Sequence, residues 1–520
     1  MAYFNRLGAV GYTSSPVVLW HPPESGAEVI NRLRTRLSQA IERALPGDSG
    51  AFASGVMTGD RSNISADVIS DLRLSSLAHL LAISGMNMAF ITGFVFAITR
   101  YGVALIPPLA LRVNSKKLAA VAAFGVALFY LLLSGANVAT TRAFLMVAVM
   151  LGAVLFDRRA LSFRSVAMSA LVLLLVQPES LTEPGFQLSF AATIALIAGF
   201  APTQTWLKAR VPGWTMAPLM LVMTSVLAGL ATAPFAAATF NRFTDYGLVA
   251  NVMTVPVMSL LMGAGVVAAL LAPFGLAWPA LWVMDLCARW ILFVAHWIAG
   301  LDGAVTMIPS PDIWVVPLVA VGALWVVLWA GRFRLAGLAP VALGLAFWVA
   351  TDRPAGLISS DGVLVGLLGP EGRALSAPKG AGFAAKSWLE DDGDLVLPAE
   401  AALRPGFAGP RTARRFELGG IRGEVLSGKA ALSALPEACA RADLVVVPVS
   451  AGPAPPQRAG CLVVDRTMLD RTGAIALQIE ADGLRLIPVR QAQRIWLGAR
   501  PVAETIHLPA KPARMAVDLP

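Results

Sequence analysis

The sequence predicts a polytopic α-helical membrane protein, with about ten transmembrane helices followed by a small β-rich or α/β extramembrane domain. Three observations carry that prediction. Of 520 residues, 57% are hydrophobic and only 14% charged, and the mean hydropathy is +0.68, outside the range of soluble globular chains. The apolar residues are concentrated: residues 77–350 are mostly apolar, 1–76 are mixed, and 351–520 return to soluble composition. Within the middle part, apolar stretches of roughly 17 to 25 residues recur between short polar breaks, long enough to cross a ~30 Å hydrocarbon core.

These spans fall near 77–99, 118–134, 138–156, 163–177, 186–202, 216–238, 247–272, 278–300, 313–331 and 335–350. IPPLALRV, after the first, is too short to cross, and its paired prolines mark a loop or interfacial piece. Short loops rich in Lys and Arg stay cytoplasmic. Arg100, Arg112, Lys116 and Lys117 follow the first span, Arg158, Arg159 and Arg164 the third, Lys208 and Arg210 the fifth, and Arg332 and Arg334 the ninth. The intervening gaps SGAN, PESLTEPG, NRFTDY and LDGAVTMIPSPD hold a single Arg between them. That alternation places both the amino-terminal region and the tail outside the cytoplasm, the periplasm or exterior of a bacterium. The net charge of +9 reflects such loops and does not alone imply nucleic acid.

The first 30 residues hold no basic start followed by an apolar core, so no signal peptide is read there. Either the first span is a reverse anchor, as the charge difference across it permits, or spans are missing upstream. The strand-like MAYFNRLGAVGYTSSPVVLW, entered as if in mid-domain, favours the second expectation. Residues 26–76 read as an amphipathic helix and connector: Ile30, Leu33, Leu37, Ile41 and Leu45 recur at threes and fours, and Arg32, Arg34, Arg36 and Arg43 fall elsewhere. Such a helix lies on the membrane surface or packs on the bundle; direct phosphate contact is the sharper alternative. In the tail, GVLVGLLGPEG, ADLVVVPVSAGP and ALQIEADGLRLIPV alternate apolar runs with turn signals. Cys439 and Cys461 lie there, 22 residues apart, and Cys287 sits in an apolar helix. The tail pair forms a disulfide if the tail is outside the cytoplasm, or else two unpaired core thiols.

Polar groups within spans are costly, so they face a bundle interior, a partner or water. His79, Ser84 and Asn87 belong to the first span, where helical offsets put them on one broad side. Asn137, Thr140, Thr141 and Arg142 open the third, Gln187 and Ser189 the fifth, and Asn251 and Thr254 lie early in the seventh. Asp285 and Arg289, spaced i,i+4 in the eighth, are within pairing distance. Any one of these serves as interhelical glue; the whole set is better explained by a polar path. SGMN, SGAN and TVPVMSLLMGAG add Gly, Pro and Ser at membrane depth, where irregular backbone is tolerated only inside protein or beside water.

Enzymatic readings fare poorly. No Gly-rich phosphate loop is present. The four histidines, His21, His79, His296 and His507, are far apart, whereas a hydrolytic metal site needs clustered ligands. Ser84 in ISGM is not a G-x-S-x-G elbow. No cofactor, metal or catalytic residue is expected.

HLLAISGMNMAFI, SGANVATTRAFLM and GFQLSFAATIALI closely resemble the three most characteristic motifs of the ComEC-type competence proteins, membrane channels for DNA uptake in natural transformation. ALPGDSGAFASGVMTGDRSNI and NVMTVPVMSLL extend the resemblance over about residues 45–275, in order. It implies an inner-membrane channel moving single-stranded DNA from periplasm to cytoplasm. The partners it implies are a periplasmic DNA receptor and a cytosolic ATPase or single-strand-binding proteins. It also implies an OB-like domain, of which residues 1–25 would be a part, and a carboxy-terminal metallo-β-lactamase-like domain, for which residues 351–520 are the degenerate counterpart. Three departures stand out. Asn87 replaces a second histidine of many members, the tail lacks the H-x-H-x-D-H metal motif, and the chain starts inside the OB-like region.

A channel for a single strand should combine modest positive potential with polar or aromatic surfaces, since dense cations would hold the strand. His79, Ser84, Asn87, Asn137, Arg142 and Gln187 are therefore the expected lining of a path through residues 77–350. The alternative is a family-related transporter or membrane scaffold not dedicated to DNA.

Overall fold

The computed structural model describes residues 29–81, 85–452, 457–458, 461–490 and 504–509. Ser84 and the strand-like region at 1–25 thus lie outside the described residues. The chain divides into a helical unit within Leu19–Thr306 and Ile313–Leu345, and a tail unit that combines Met307–Asp312 with residues from Ala346 onward.

The helical unit begins with α1 (Val29–Ala44), α2 (Asp48–Thr58), α3 (Ala66–Leu74) and the single turn α4 (Ala78–Leu81). Then follow α5 (Gly85–Ala104), the short α6 (Pro107–Ala110), α7 (Ser115–Leu133), α8 (Val138–Leu155), α9 (Phe163–Val176) and α10 (Pro184–Lys208). α11 (Met216–Phe240), strand β1 (Arg242–Thr244), α12 (Gly247–Leu271), α13 (Trp278–Ala299), strand β2 (Val305–Met307), α14 (Val315–Leu328) and α15 (Leu338–Val349) complete the series. Polar residues start several of them. Ser65, Asn114, Asn137 and Ser162 each accept a hydrogen bond from a backbone N–H three residues on, satisfying a donor that a helix start leaves open.

Among the described residues, eight helical segments are long and apolar enough to cross a membrane, the last being Gly331–Val349, in which a 3-10 segment runs into α15; α9 and α14 are shorter apolar helices. Each of the ten stretches read from the sequence overlaps one of these ten helices, and the chain is a polytopic helical membrane protein. The first stretch holds two described helices, α4 through Leu81 and α5 from Gly85, with residues 82–84 between them outside the described residues. At TVPVMSLLMGAG, by contrast, α12 runs unbroken through Pro256. Thr254 donates to Ala250 O at 2.7 Å and Ser259 to Pro256 O at 2.6 Å, so hydroxyls serve carbonyls around the proline. α2 is the most enclosed helix of the helical unit: Ser49–Val56 and Thr58 are all buried.

The tail holds two sheets. β3 (Gly356–Ile358), β4 (Val365–Gly369), β5 (Gly372–Leu375), β11 (Ile475–Glu480), β12 (Gly483–Pro488) and β13 (Ile506–Pro509) form an antiparallel sheet of order β13-β12-β11-β3-β4-β5. β6 (Ala413–Leu418), β7 (Ile421–Leu426), β8 (Leu444–Val446), β9 (Gln457–Arg458) and β10 (Cys461–Val464) form a mixed one of order β6-β7-β8-β10-β9, in which β8 runs parallel to β7 and to β10. Period-two alternation explains the layers. Leu444, Val446, Leu462 and Val464 join Ile358, Val365, Leu477 and Leu486 of the other sheet in one core. Val445, Cys461 and Val463 point the opposite way, under α18 (Ala431–Arg441). α16 (Gly382–Asp391) and α17 (Pro398–Ala401) cover the outer face of the antiparallel sheet through Leu364, Leu375, Ala385, Leu389 and Ala401. α19 (Arg466–Thr472) is started by Asp465. The result is a four-layer helix–sheet–sheet–helix sandwich. Met307–Asp312, which composition assigns to the membrane part, is tied into it by Trp348 Nε1 donating to Pro309 O at 2.8 Å and Ser310 N to Asp391 O at 2.9 Å.

Candidate functional site

The polar residues of the helical unit fall into three groups. The first belongs to α4 and α5. Asn87 is fully buried and its Nδ2 donates to Leu80 O at 3.2 Å. In one continuous helix these residues would stand about 10 Å apart along the axis, so the bond shows that α4 and α5 are not one continuous helix. The expectation that His79 and Asn87 share one side of a single helix is therefore corrected. His79 belongs to α4, exposed, with Nδ1 2.7 Å from Ser76 O.

The second group joins the starts of α8 and α10. Asn137 is exposed and caps α8, accepting from Thr140 N at 3.0 Å and Thr140 Oγ1 at 2.9 Å. Five residues on, Arg142 is buried and pairs with Glu183 at 3.0 Å, each side chain 9% accessible. A Cβ on Gly185 would meet Arg142 Nη2 at 2.0 Å, so glycine leaves the space in which the guanidinium lies. Gln187, one turn into α10, donates to Leu181 O at 3.2 Å. Arg142 was expected to be a lining cation. The structure corrects this: it is buried and neutralised, because the carboxylate that starts the neighbouring helix meets it. Glu183 escaped the sequence reading because PESLTEPG looks like an ordinary polar loop. Its one signal is an acid placed directly before a Pro-initiated helix.

The third group connects α2 and α3 to α13. Ser49 Oγ donates to Asp285 Oδ1 at 2.6 Å, and Asp285 pairs with Arg289 at 2.7 Å. The Arg289 side chain is 65% exposed and that of Asp285 only 18%. Tyr130 Oη, on α7, donates to Val56 O at 2.8 Å. His296 Nδ1 lies 2.8 Å from Asp71 Oδ2. These cross-links hold the segment before the first long helix inside the bundle, and sequence spacing gives no hint of partners more than 200 residues apart.

In the tail, Cys439 on α18 and Cys461 on β10 are joined in a disulfide, with Cα atoms 5.2 Å apart. Cys287 is a buried free thiol. Among the described residues, one group could hold a metal ion: Glu480, Asp482 and His507, with ligand atoms within 4.8 Å of one another. Asp482 and His507 are exposed, and Arg485 Nη1 stands 3.4 Å from Glu480 Oε1, competing for the carboxylate.

Taken together, the helices and their buried polar contacts define a polytopic membrane protein whose interior is organised by a few hydrogen-bonded ionic and amide groups. The chain belongs to the competence protein family, which it matches over residues 56–333. It is 28% identical over 301 residues to ComE operon protein 3 of Bacillus subtilis (strain 168), an alignment covering 56% of this chain and 35% of that protein. The matched part of the chain thus spans about a third of the length of that curated relative. No solved structure matches the chain.

Proposed function

We propose that this protein is a membrane conduit through which single-stranded DNA passes from periplasm to cytoplasm during natural transformation. The observation that carries this reading is the family match over residues 56–333, an interval that contains all three motifs centred on Asn87, Arg142 and Gln187. The electrostatics are compatible with passage. A strand needs weak, repeated contacts rather than a dense cationic wall, and two of the intramembrane arginines, Arg142 and Arg289, are each paired with a carboxylate.

In this reading the tail lies outside the cytoplasm, in the periplasm of an inner-membrane protein, as the alternation of loop charges favours. The Cys439–Cys461 bridge supports that side, because disulfides persist in oxidising compartments. The tail acts without catalysis in this reading: its candidate ligand group, Glu480, Asp482 and His507, contains one histidine, two exposed members and a carboxylate already met by Arg485, short of the clustered ligands of a metallohydrolase. A periplasmic DNA receptor would deliver the strand, and a cytosolic ATPase or single-strand-binding proteins would draw it in.

The test is deletion of the gene in its own host, followed by exposure to fluorescent duplex DNA. The expected result is nuclease-resistant label held outside the cytoplasm and transformation reduced to background, both restored by the full chain. Unchanged transformation with label reaching the cytoplasm would overturn the reading and favour a transporter or scaffold not dedicated to DNA.

A further inference from the structure

The hairpin formed by α1 and α2 has an unused feature. Arg32, Arg36, Gln39 and Arg43 follow one another at spacings of four, three and four, which places them within a ~60° sector of the helix, a stripe with ~16 Å of rise. All four are exposed. Arg36 has no hydrogen-bond or ion-pair partner among the described residues, and Arg43 bonds only Gln39, one turn away, at 3.2 Å. Glu42, the one acid of α1, is drawn off the stripe by Asn63 Nδ2 at 2.7 Å and Ser38 Oγ at 3.4 Å. The opposite side packs on α2, with the hydroxyls of buried Ser38 and Ser54 2.8 Å apart.

Two anchors fix where this stripe runs. Near the start of α1, Arg34 lies against Gly135 in the loop between α7 and α8, since a Cβ there would meet its Nη1 at 2.6 Å. At the other end, beyond buried Leu45, Ser49 reaches Asp285. Asp285 stands about 21 Å along α13 from its Ala299 end. Ala299 and Gly135 belong to the same side of the bundle, because the starts of α8 and α10 are at one level through Arg142 and Glu183 and the chain crosses from α10 to α13 by consecutive helices. The hairpin therefore descends from that side to mid-depth of a ~30 Å hydrocarbon layer. Arg32 and Arg36 flank Arg34 near the outer end and Arg43 stands deepest, where a guanidinium facing hydrocarbon costs about 2.5–3.5 kcal/mol. The stripe therefore faces water.

We infer that the Arg32, Arg36, Gln39 and Arg43 face of α1 lines a water-filled path inside the membrane region and contacts the phosphates of a polyanionic strand. The strand's identity as single-stranded DNA rests on the function proposed above; the watery path rests on the hairpin alone. α1 is then neither a surface helix nor a mere packing element, and Arg142 yields its expected role to these residues.

Single cysteines at Arg36, Gln39 and Arg43 test the path, in full-length protein carrying Cys287→Ser and reconstituted in lipid vesicles. Leu175→Cys, on the exposed apolar face of α9, serves as the lipid-facing control. The three stripe thiols should react with a small charged methanethiosulfonate at least about tenfold faster than the control, because only hydrated thiols ionise readily. A polymer-linked maleimide, too large for a conduit, should label none of them. Slow reaction at all three with the small reagent, or full labelling by the polymer as on a surface helix, would overturn the path. An added single-stranded oligonucleotide should slow the small reagent several-fold. Fast labelling that the oligonucleotide leaves unchanged would keep the path but remove DNA as its occupant. In cells, Arg36→Gln with Arg43→Gln should lower transformation about tenfold, consistent with loss of phosphate contacts, and Arg36→Lys with Arg43→Lys should restore most of it. Equal transformation by both pairs would also overturn the phosphate contact.

Discussion

The helical unit and the tail place their apolar side chains in opposite ways. Of the 25 residues of α10 only Phe186, Phe190 and Leu207 are buried, and of the 25 of α11 only Met220, Phe235 and Ala237. In the tail every residue of β8 and β10 is buried. The difference follows from solvent: lipid is as apolar as Leu, so it supplies no drive to bury Leu, whereas water expels it at roughly 25 cal/mol per Å². Specific structure in the bundle must come from close approach and from a few polar contacts. Yet both units contain a buried arginine held by a carboxylate, Arg142 with Glu183 and Arg373 with Asp392.

That shared device lets the comparison be broken or sharpened. Arg373 is 1% exposed, and its Nη2 donates to Asp392 Oδ1 at 3.0 Å. Arg373→Leu strands a buried carboxylate and should destabilise the tail by about 3–5 kcal/mol, read as protease susceptibility of the tail in detergent-solubilised full-length protein. Next, Cys439→Ser releases a loop of 22 residues and should cost the tail about 3 kcal/mol by chain entropy. The same variant should leave Cys461 open to alkylation, which in the parent protein is blocked.

Smaller effects are expected in the bundle. Glu183→Gln keeps an acceptor for Arg142 but removes its counter-charge, and should cost about 1.5–3 kcal/mol in thermal unfolding followed by detergent-resistant size exclusion. Tyr130→Phe removes the donor to Val56 O and should cost only about 0.6 kcal/mol, since the unfolded chain in lipid also finds partners. A larger loss for Glu183→Gln than for Arg373→Leu would reverse the comparison and make polar contacts the dominant stabiliser of the bundle.

Much of the architecture was legible in sequence because its signals are local. Apolar stretches of spanning length recover the ten apolar helices, and period-two alternation explains how Val445, Cys461 and Val463 come to face α18. The i,i+4 spacing brings Asp285 and Arg289 within reach, and they pair. The polar path was less legible. Asn137, Gln187 and His79 satisfy nearby backbone groups, a local use that motif position cannot distinguish from lining, and Arg142 meets an acid 41 residues away.

The sequence by itself determined that the chain is a multi-span membrane protein of the competence type with a soluble tail, because hydropathy, loop charge and motif order are read along the chain. Only the tertiary structure decided which polar groups are spent on one another. It brought Asn87 of α5 to the carbonyl of Leu80 in α4, buried Arg142 against Glu183, and drew α2 into the bundle through Ser49 and Asp285. Those outcomes depend on distances between residues remote in sequence, set by packing, and no local pattern encodes them.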